Sequence, residues 1–533
     1  MERVVFKHLY NYLKDNTLLY KYQSGFIPGH STTFQLVDIY HHICQTFDNK
    51  QISCMVFCDI SKVFDRVWHK GLLFKLEQNG IEGALLDWLS SYLSNRKQCV
   101  ALNSSFSENK DVLAGVPQGS VLGPLLFLIY VNDIAEHLLS LTRLYADDSS
   151  LFVSASNIRD TQGILNHDLA IISLWAKQWL INFNPNKTTA LLFSLRELGD
   201  VPDLIFDGVP IQFVTSHRHL GITFNEKGKW YDHIEQGLSS ASKVIGVMRK
   251  LKYTFSYHAL NQIYISYVRP ILEYSSIVWD NCTVEQARSL EKLQNEAARI
   301  VTGLTRSVSL ERLYKECNWE SLAHRRNNQK IKFMYKATHD MVPSYIADLI
   351  PHLVGEATRY DLRNRSDINL PPQRTTIFQN SCIPSSIRAW NSLDDQYRDC
   401  QTLGSFCYRI KKELNSTVII PNYYFKGNRK LCVLHCRLRN RCSDLHADLF
   451  YNHLRDNALC ECQQEIEDAE HFIFRCNRYV QARVNMFHKT RQFHPLSVSD
   501  ALLGRINLPA HENELLFQAI QIYIRDTGRF NNN

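Results

Sequence analysis

At 533 residues, with 45% hydrophobic, 11% aromatic and 21% charged side chains, the chain falls outside the disordered, collagen-like and disulfide-stapled classes. Its length predicts several domains of roughly 100 to 200 residues each. The formal charge of +7 permits a polyanionic partner without requiring one. The most apolar run, Leu125 to Val131, is far shorter than the roughly 20 residues of a spanning helix, and Met1-Glu2-Arg3 opens no signal-peptide core. A soluble intracellular protein with no membrane partner is therefore expected, and its 15 cysteines read as reduced thiols or metal ligands.

Taken in chain order, the first half reads as α+β. Ser53 to Asp59 predicts a buried strand, and Val121 to Ile134 an apolar helix with Pro124 in its first turn and Ser120 as its cap. Arg143 to Tyr145 and Ser150 to Val153 flank Ala146-Asp147-Asp148 like the arms of a hairpin. Asp160 to Leu180 has helical periodicity, followed by short strands at Thr189 to Phe193, Leu204 to Phe206, Ile211 to Val214 and Leu220 to Phe224. From Trp230 to Met341 the pattern is helical, with its strongest segment at Val284 to Val301, which Gly303 can terminate. Residues 346–430 carry proline pairs and turn signals and give no pattern. No internal repeat, heptad run or low-complexity tract is present.

Asp59, Asp147 and Asp148 thus fall at strand ends. Clustered carboxylates repel one another, and Mg²⁺, which takes oxygen ligands and keeps waters for substrate phosphates to displace, would satisfy them. Two such ions serve in-line phosphoryl transfer. An Asp pair alone is equally ordinary turn chemistry. Between the acid sites lies Gly115-Val116-Pro117-Gln118-Gly119-Ser120, a loop that leads into a helix N-terminus suited to phosphate. There Gln118 could hold a nucleotide edge, although a capped helix is the plain alternative.

These residues resemble the reverse transcriptases of non-LTR (LINE-type) retrotransposons, in the branch that includes jockey and chicken-repeat-type elements. FCDISKVFDRVWH at Phe57 to His69, AGVPQGSVLGPLLFLIYVND at Ala114 to Asp133 and LYADDSSLF at Leu144 to Phe152 look like the family's catalytic blocks, in its order. YQSGFIPGHSTT at Tyr22 to Thr33 resembles its fingers segment, WLINFNPNKT at Trp179 to Thr188 its lysine-bearing block, and HLGITF at His219 to Phe224 its primer-grip hairpin. The resemblance implies a right-hand polymerase that adds dNTPs to a DNA 3′-end on an RNA template. In it Asp59 and Asp147 would hold two Mg²⁺ ions with Asp148 in support, and Phe64 would be the sugar gate. Gln118, Gly119 and Tyr145 would contact the nucleotide, and Lys187 would protonate or stabilise pyrophosphate. Asp65, just past the strand-end acid, reads as structural. His30 and Val63 depart from the family's usual arginine and alanine. Met1 falls inside the family's fingers, so the chain reads as an N-terminally truncated piece of a longer element protein.

The expected organisation is partial fingers and palm at 1–225, a helical thumb at 226–345, a connecting region at 346–430 and a zinc-bearing C-terminal module at 431–533. Lys243, Arg249, Lys250, Lys252, Arg325, Arg326, Lys330, Lys332 and Lys336 suit either a duplex-gripping thumb or a solvated helix face. Cys460, Cys462, His471 and Cys476 can complete a tetrahedral Zn²⁺ shell, and a segment so short would need the metal to stay folded. Arg437, Arg439, Arg441 and Arg475 beside it point to nucleic acid, while Cys432, Cys436 and Cys442 read as ordinary thiols. Expected partners are RNA template, primer or target DNA and dNTPs, in a nuclear and cytoplasmic ribonucleoprotein. The sequence leaves the oligomeric state open. The alternative is a catalytically silent, nucleic-acid-binding remnant.

Overall fold

The computed structural model describes residues 1–60, 63–357, 365–414 and 420–531; Ser61 and Lys62 of the first block lie outside them, as does the Val63 side chain. The chain forms two compact units, and neither is one continuous stretch. The first comprises Met1–His233, Ser275–Cys282 and Gln329–Phe406; the second comprises Ile234–Tyr274, Thr283–Asn328 and Cys407–Asn533. The segments 226–345 and 346–430 are each divided between them.

The first unit is built on a five-stranded sheet of β1 (Ile52–Cys58), β2 (Leu141–Tyr145), β3 (Asp148–Ala155), β4 (Thr189–Phe193) and β5 (Gln212–Phe213), in the order β5-β4-β1-β3-β2. All pairings are antiparallel except β4 with β5. Central β1 is buried from Ser53 through Cys58, which is why it is apolar without alternation. Cys54, Val56 and Cys58 share a core with helices α3 (Gly123–Val131) and α4 (Ile158–Gln178). From the opposite face, Phe57 stacks on His217 with ring centroids 3.8 Å apart. Asn157 caps α4 by accepting the Asp160 N–H at 2.9 Å.

Helix α2 (Thr32–Asp48), which follows α1 (Glu2–Asp15), collects the later segments of this unit. Tyr40 accepts from the Asn281 amide (2.8 Å), whose oxygen accepts from the Trp230 indole (2.6 Å). Asp48 accepts from the backbone N–H groups of Arg374 (2.9 Å) and Thr375 (2.7 Å). Residues with no pattern of their own are thus held by long-range hydrogen bonds.

Two local readings are corrected. The helix after Ser120 starts at Gly123 and ends at Val131 in a 3₁₀ turn over Asn132–Ala135, with Leu122 as its cap residue. Ser120 Oγ instead closes the preceding turn, accepting from Gly123 N–H (2.9 Å) and donating to Pro117 O (2.7 Å). Leu220 to Phe224 is not one strand: Leu220 and Gly221 both have positive φ (46° and 84°) and turn β6 (Ser216–His219) into β7 (Ile222–Asn225).

The second unit is mostly helical. Its Val284–Thr302 helix carries a capping box, Thr283 with Gln286, and ends at Gly303 with φ +78°. The Arg429 guanidinium donates to the terminal carbonyls of Ile300 (2.9 Å) and Val301 (2.6 Å), a cation placed at the negative end of the helix. Leu438, Phe472, Ile473, Leu516, Ile520 and Tyr523 form its C-terminal core. Among the described residues no helix is long and apolar enough to cross a membrane.

Candidate active site and metal centre

The first unit brings the three acids to one end of the sheet. Cys58 of β1 pairs with Ser149 of β3, so continuing the register by one residue sets Asp59 beside Asp148. Tyr145 pairs with Asp148 and closes a two-residue turn, Ala146-Asp147, with Ala146 at φ +56°. Asp147 and Asp148 are exposed to solvent and Asp59 is half-buried. Although Asp148 reaches solvent, the protein around it desolvates its carboxyl and raises it above its ordinary range, and the charges of Asp147 and Asp59 raise it further. The carboxylates therefore feel one another, and the site is an all-oxygen donor set of the kind a hard divalent cation takes.

The turn is held from behind by residues of the Tyr22 to Thr33 block, a contact the sequence did not foretell. Gln23, 2% exposed, accepts at Oε1 from the N–H groups of Gly25 (2.9 Å) and Ala146 (3.3 Å). Ser24 N–H donates to Leu144 O (2.9 Å), and Leu144 N–H to Tyr22 O (3.1 Å). A Cβ on Gly25 would sit 2.1 Å from Ala146 N, so this contact admits only glycine. Behind it, Arg143 of β2 and Asp38 of α2 form a fully buried ion pair.

The nucleotide-binding candidates lie on two joined loops. Phe64 packs against Phe127 (ring centroids 4.4 Å apart) and edge-on to Phe26 (5.8 Å), half-buried rather than free. Gln118 and Gly119 are exposed, and Gln118 Nε2 donates to Asp65 Oδ1 at 2.7 Å. Asp65, read from the sequence as structural, thus touches a candidate site residue. Lys187 is exposed on a turn tied to the acid strand: Asn184 N–H donates to Asp59 O (2.8 Å) and Lys187 N–H to Asn184 O (3.1 Å). His30 supplies no fixed charge, because burial lowers its imidazole to about 4, and it meets Ser24 Oγ at 3.1 Å.

In the second unit, Cys460, Cys462, His471 and Cys476 place one ligand atom each within 4.8 Å of one another. Among the described residues it is the one group of metal-ligating side chains to close so tightly. Cys460 and Cys476 sulfurs are 3.8 Å apart, and Cys462 Sγ is 3.3 Å from His471 Nε2. Glu465 meets the other ring nitrogen, Nδ1, at 3.2 Å, the carboxylate–histidine arrangement that fixes a ligand's tautomer. The backbone N–H of Gln464 draws the Cys462 thiol down to about 7. The segment is not an isolated knuckle. Cys460 and Cys476 are packed in the core with Phe472, Leu516 and Ile520, so apolar burial supports it as well as any metal.

Comparison with known proteins matches residues 1–228 to the family described as reverse transcriptase (RNA-dependent DNA polymerase). The matched stretch contains Asp59, Asp147 and Asp148. The chain is 31% identical over 329 residues to the probable RNA-directed DNA polymerase from transposon BS of Drosophila melanogaster, covering 60% of this chain and 36% of that protein. It is 27% identical over 345 residues to the RNA-directed DNA polymerase from mobile element jockey of the same organism, covering 63% and 37%. The chain therefore spans little more than a third of these curated relatives. Among solved structures, apo telomerase from Candida Tropicalis overlays with a TM-score of 0.37 at 12% identity, covering 65% of this chain and 55% of that one, too distant to carry an argument.

Beyond residues 1–228, the basic residues sort by their contacts. Arg249 pairs with Glu296, Arg325 with Glu273 and Lys330 with Asp280, and Arg326 is buried, so these four are committed within the protein. Lys243, Lys250 and Lys332 are exposed, and Lys252 lies over the Tyr253 ring at 4.6 Å. Near the Cys/His cluster, Arg439 is buried against Glu316 (3.0 Å) and Tyr424, while Arg475 pairs with Glu465 and Arg478 with Glu461. The basic neighbours expected to meet nucleic acid are largely engaged in ion pairs. Cys432, Cys436 and Cys442 are free, buried thiols, as expected.

Proposed function

We propose that the chain is an RNA-directed DNA polymerase of a non-LTR retrotransposon, adding dNTPs to a DNA 3′-end on an RNA template. The observation that carries this is the strand register that gathers Asp59, Asp147 and Asp148 at one sheet end, inside the matched domain. Asp59 and Asp147 would hold two Mg²⁺ ions with Asp148 in support; bound there, such ions activate the 3′-hydroxyl and stabilise the leaving pyrophosphate. Phe64 stands under the sugar and excludes a 2′-hydroxyl by bulk. Gln118, Gly119 and Tyr145 hold the nucleotide, and Lys187 supplies charge or a proton to pyrophosphate. The exposed lysines of the helices serve as the thumb's phosphate contacts. Cys460, Cys462, His471 and Cys476 fit zinc, whose tetrahedral preference suits three sulfurs and an imidazole. The same reading puts the chain in an intracellular ribonucleoprotein with its template.

The test is primer extension on poly(rA)/oligo(dT) with Mg²⁺, comparing the chain with its Asp147→Ala variant. Extension by the unsubstituted chain alone supports the reading. Binding without extension by either leaves a silent nucleic-acid-binding remnant.

A further inference from the structure

We infer that Asp65 is a positioning residue for nucleotide binding, its carboxylate fixing the Gln118 carboxamide on the loop joined to the Phe64 turn. The two residues stand 53 positions apart, and the 2.7 Å hydrogen bond between them is one rung of a longer seam. Val116 N–H donates to Phe64 O and Gly115 N–H to Val67 O, both at 2.8 Å. His69 Nε2 meets Gly115 O at 2.7 Å. Gly115 has φ +91°, and a Cβ there would lie 2.8 Å from Phe64 O and 2.9 Å from Asp65 Cα. The turn that carries the gate ring and the loop that carries Gln118 are thus built as one body.

Chemistry fixes what Asp65 contributes. An ionised carboxylate only accepts, so it selects the amide nitrogen of Gln118 as its partner. Oε1 is then left as an acceptor for a nucleotide hydroxyl or exocyclic N–H. An exposed glutamine with no such tether samples many rotamers, and holding it beforehand removes an ordering cost from nucleotide binding.

This rests on the polymerase reading above. The test uses the full chain and its Asp65→Ala, Asp65→Asn, Gln118→Ala and Asp65→Ala/Gln118→Ala variants, with dTTP varied in primer extension on poly(rA)/oligo(dT). Asp65→Ala is expected to raise KM for dTTP roughly tenfold with kcat held within about threefold. Asp65→Asn, whose amide oxygen still accepts, should recover most of that loss, and the double variant should be no worse than Gln118→Ala alone. Additive losses, or a fall in kcat with KM unchanged, overturn the inference. A second measurement needs no turnover: retention of the chain by a dideoxy-terminated primer–template as dTTP is added. If the unsubstituted chain fails to extend, the polymerase reading falls while this assay still decides. Retention by dTTP that Asp65→Ala weakens supports the role of Asp65, and equal or absent dTTP-dependent retention overturns it.

Discussion

Gln23 Oε1 accepts the backbone N–H of Ala146, the residue in left-handed conformation at the tip of the acid hairpin, and the same oxygen accepts Gly25 N–H. A side chain of the segment Tyr22 to Thr33 therefore sets the turn on which Asp147 sits. Gln23→Leu keeps comparable bulk but leaves both donors without a partner in a site only 2% exposed. That costs about 1 to 3 kcal/mol. Thermal unfolding should show a lowered Tm, and primer extension a reduced kcat; an unchanged value in both would contradict the role given to Gln23.

The neighbouring glycine gives a sharper contrast. Gly25→Ala forces a Cβ to 2.1 Å from Ala146 N, whereas a Cβ on Gly119, at φ +81°, meets nothing within 4 Å. Gly119→Ala should cost only its backbone strain, about 1 kcal/mol in stability. Gly25→Ala should cost several-fold more and abolish extension. Equal unfolding temperatures for the two variants would show that the latch is not as tight as drawn.

The buried pair Arg143–Asp38 predicts a pH dependence. Burial pushes the Asp38 carboxyl up, but Arg143 and His42 more than offset it and hold it below the usual carboxylate range. A carboxyl lowered in the folded state contributes stability that is complete above its unfolded pKa, about 3.9, and is lost as pH falls through the folded value. Arg143→Leu leaves that acid buried without its cation and should cost about 3 to 5 kcal/mol at neutral pH. Denaturant titrations at pH 7 and pH 3 should find the variant's deficit shrinking at the lower pH.

Metal removal tests the C-terminal cluster. The purified chain should carry about one zinc per molecule, released by chelation or by Cys476→Ser. Because the cluster shares the core of Phe472 and Leu516, loss of metal should lower the Tm of the second unit without unfolding it outright. Complete unfolding on chelation would restore the view of a metal-dependent knuckle.

Most of the acid site was legible in the sequence because its parts are local. A buried strand ending in Asp59 and a hairpin tipped by Asp147 are both written in runs of a few residues, as are the Val284–Thr302 helix and its glycine stop. What could not be read depends on distance. Gln23 meets Ala146 across 123 positions, and Asp65 meets Gln118 across 53. The lysines and arginines of the helices could not be sorted because a basic residue reads alike whether an acid such as Glu273 or Glu296 waits for it or solvent does. Leu220-Gly221 was misread because an apolar run hid a two-residue turn.

The central claim is that the acids at the end of β1 and in the β2–β3 turn carry out polymerisation. Its most direct test is extension of oligo(dT) on poly(rA) with Mg²⁺ by the chain and by its Asp147→Ala variant, at matched Tm and matched duplex binding. The account predicts extension that Asp147→Ala abolishes. Extension that survives Asp147→Ala would contradict it, as would the absence of extension by both.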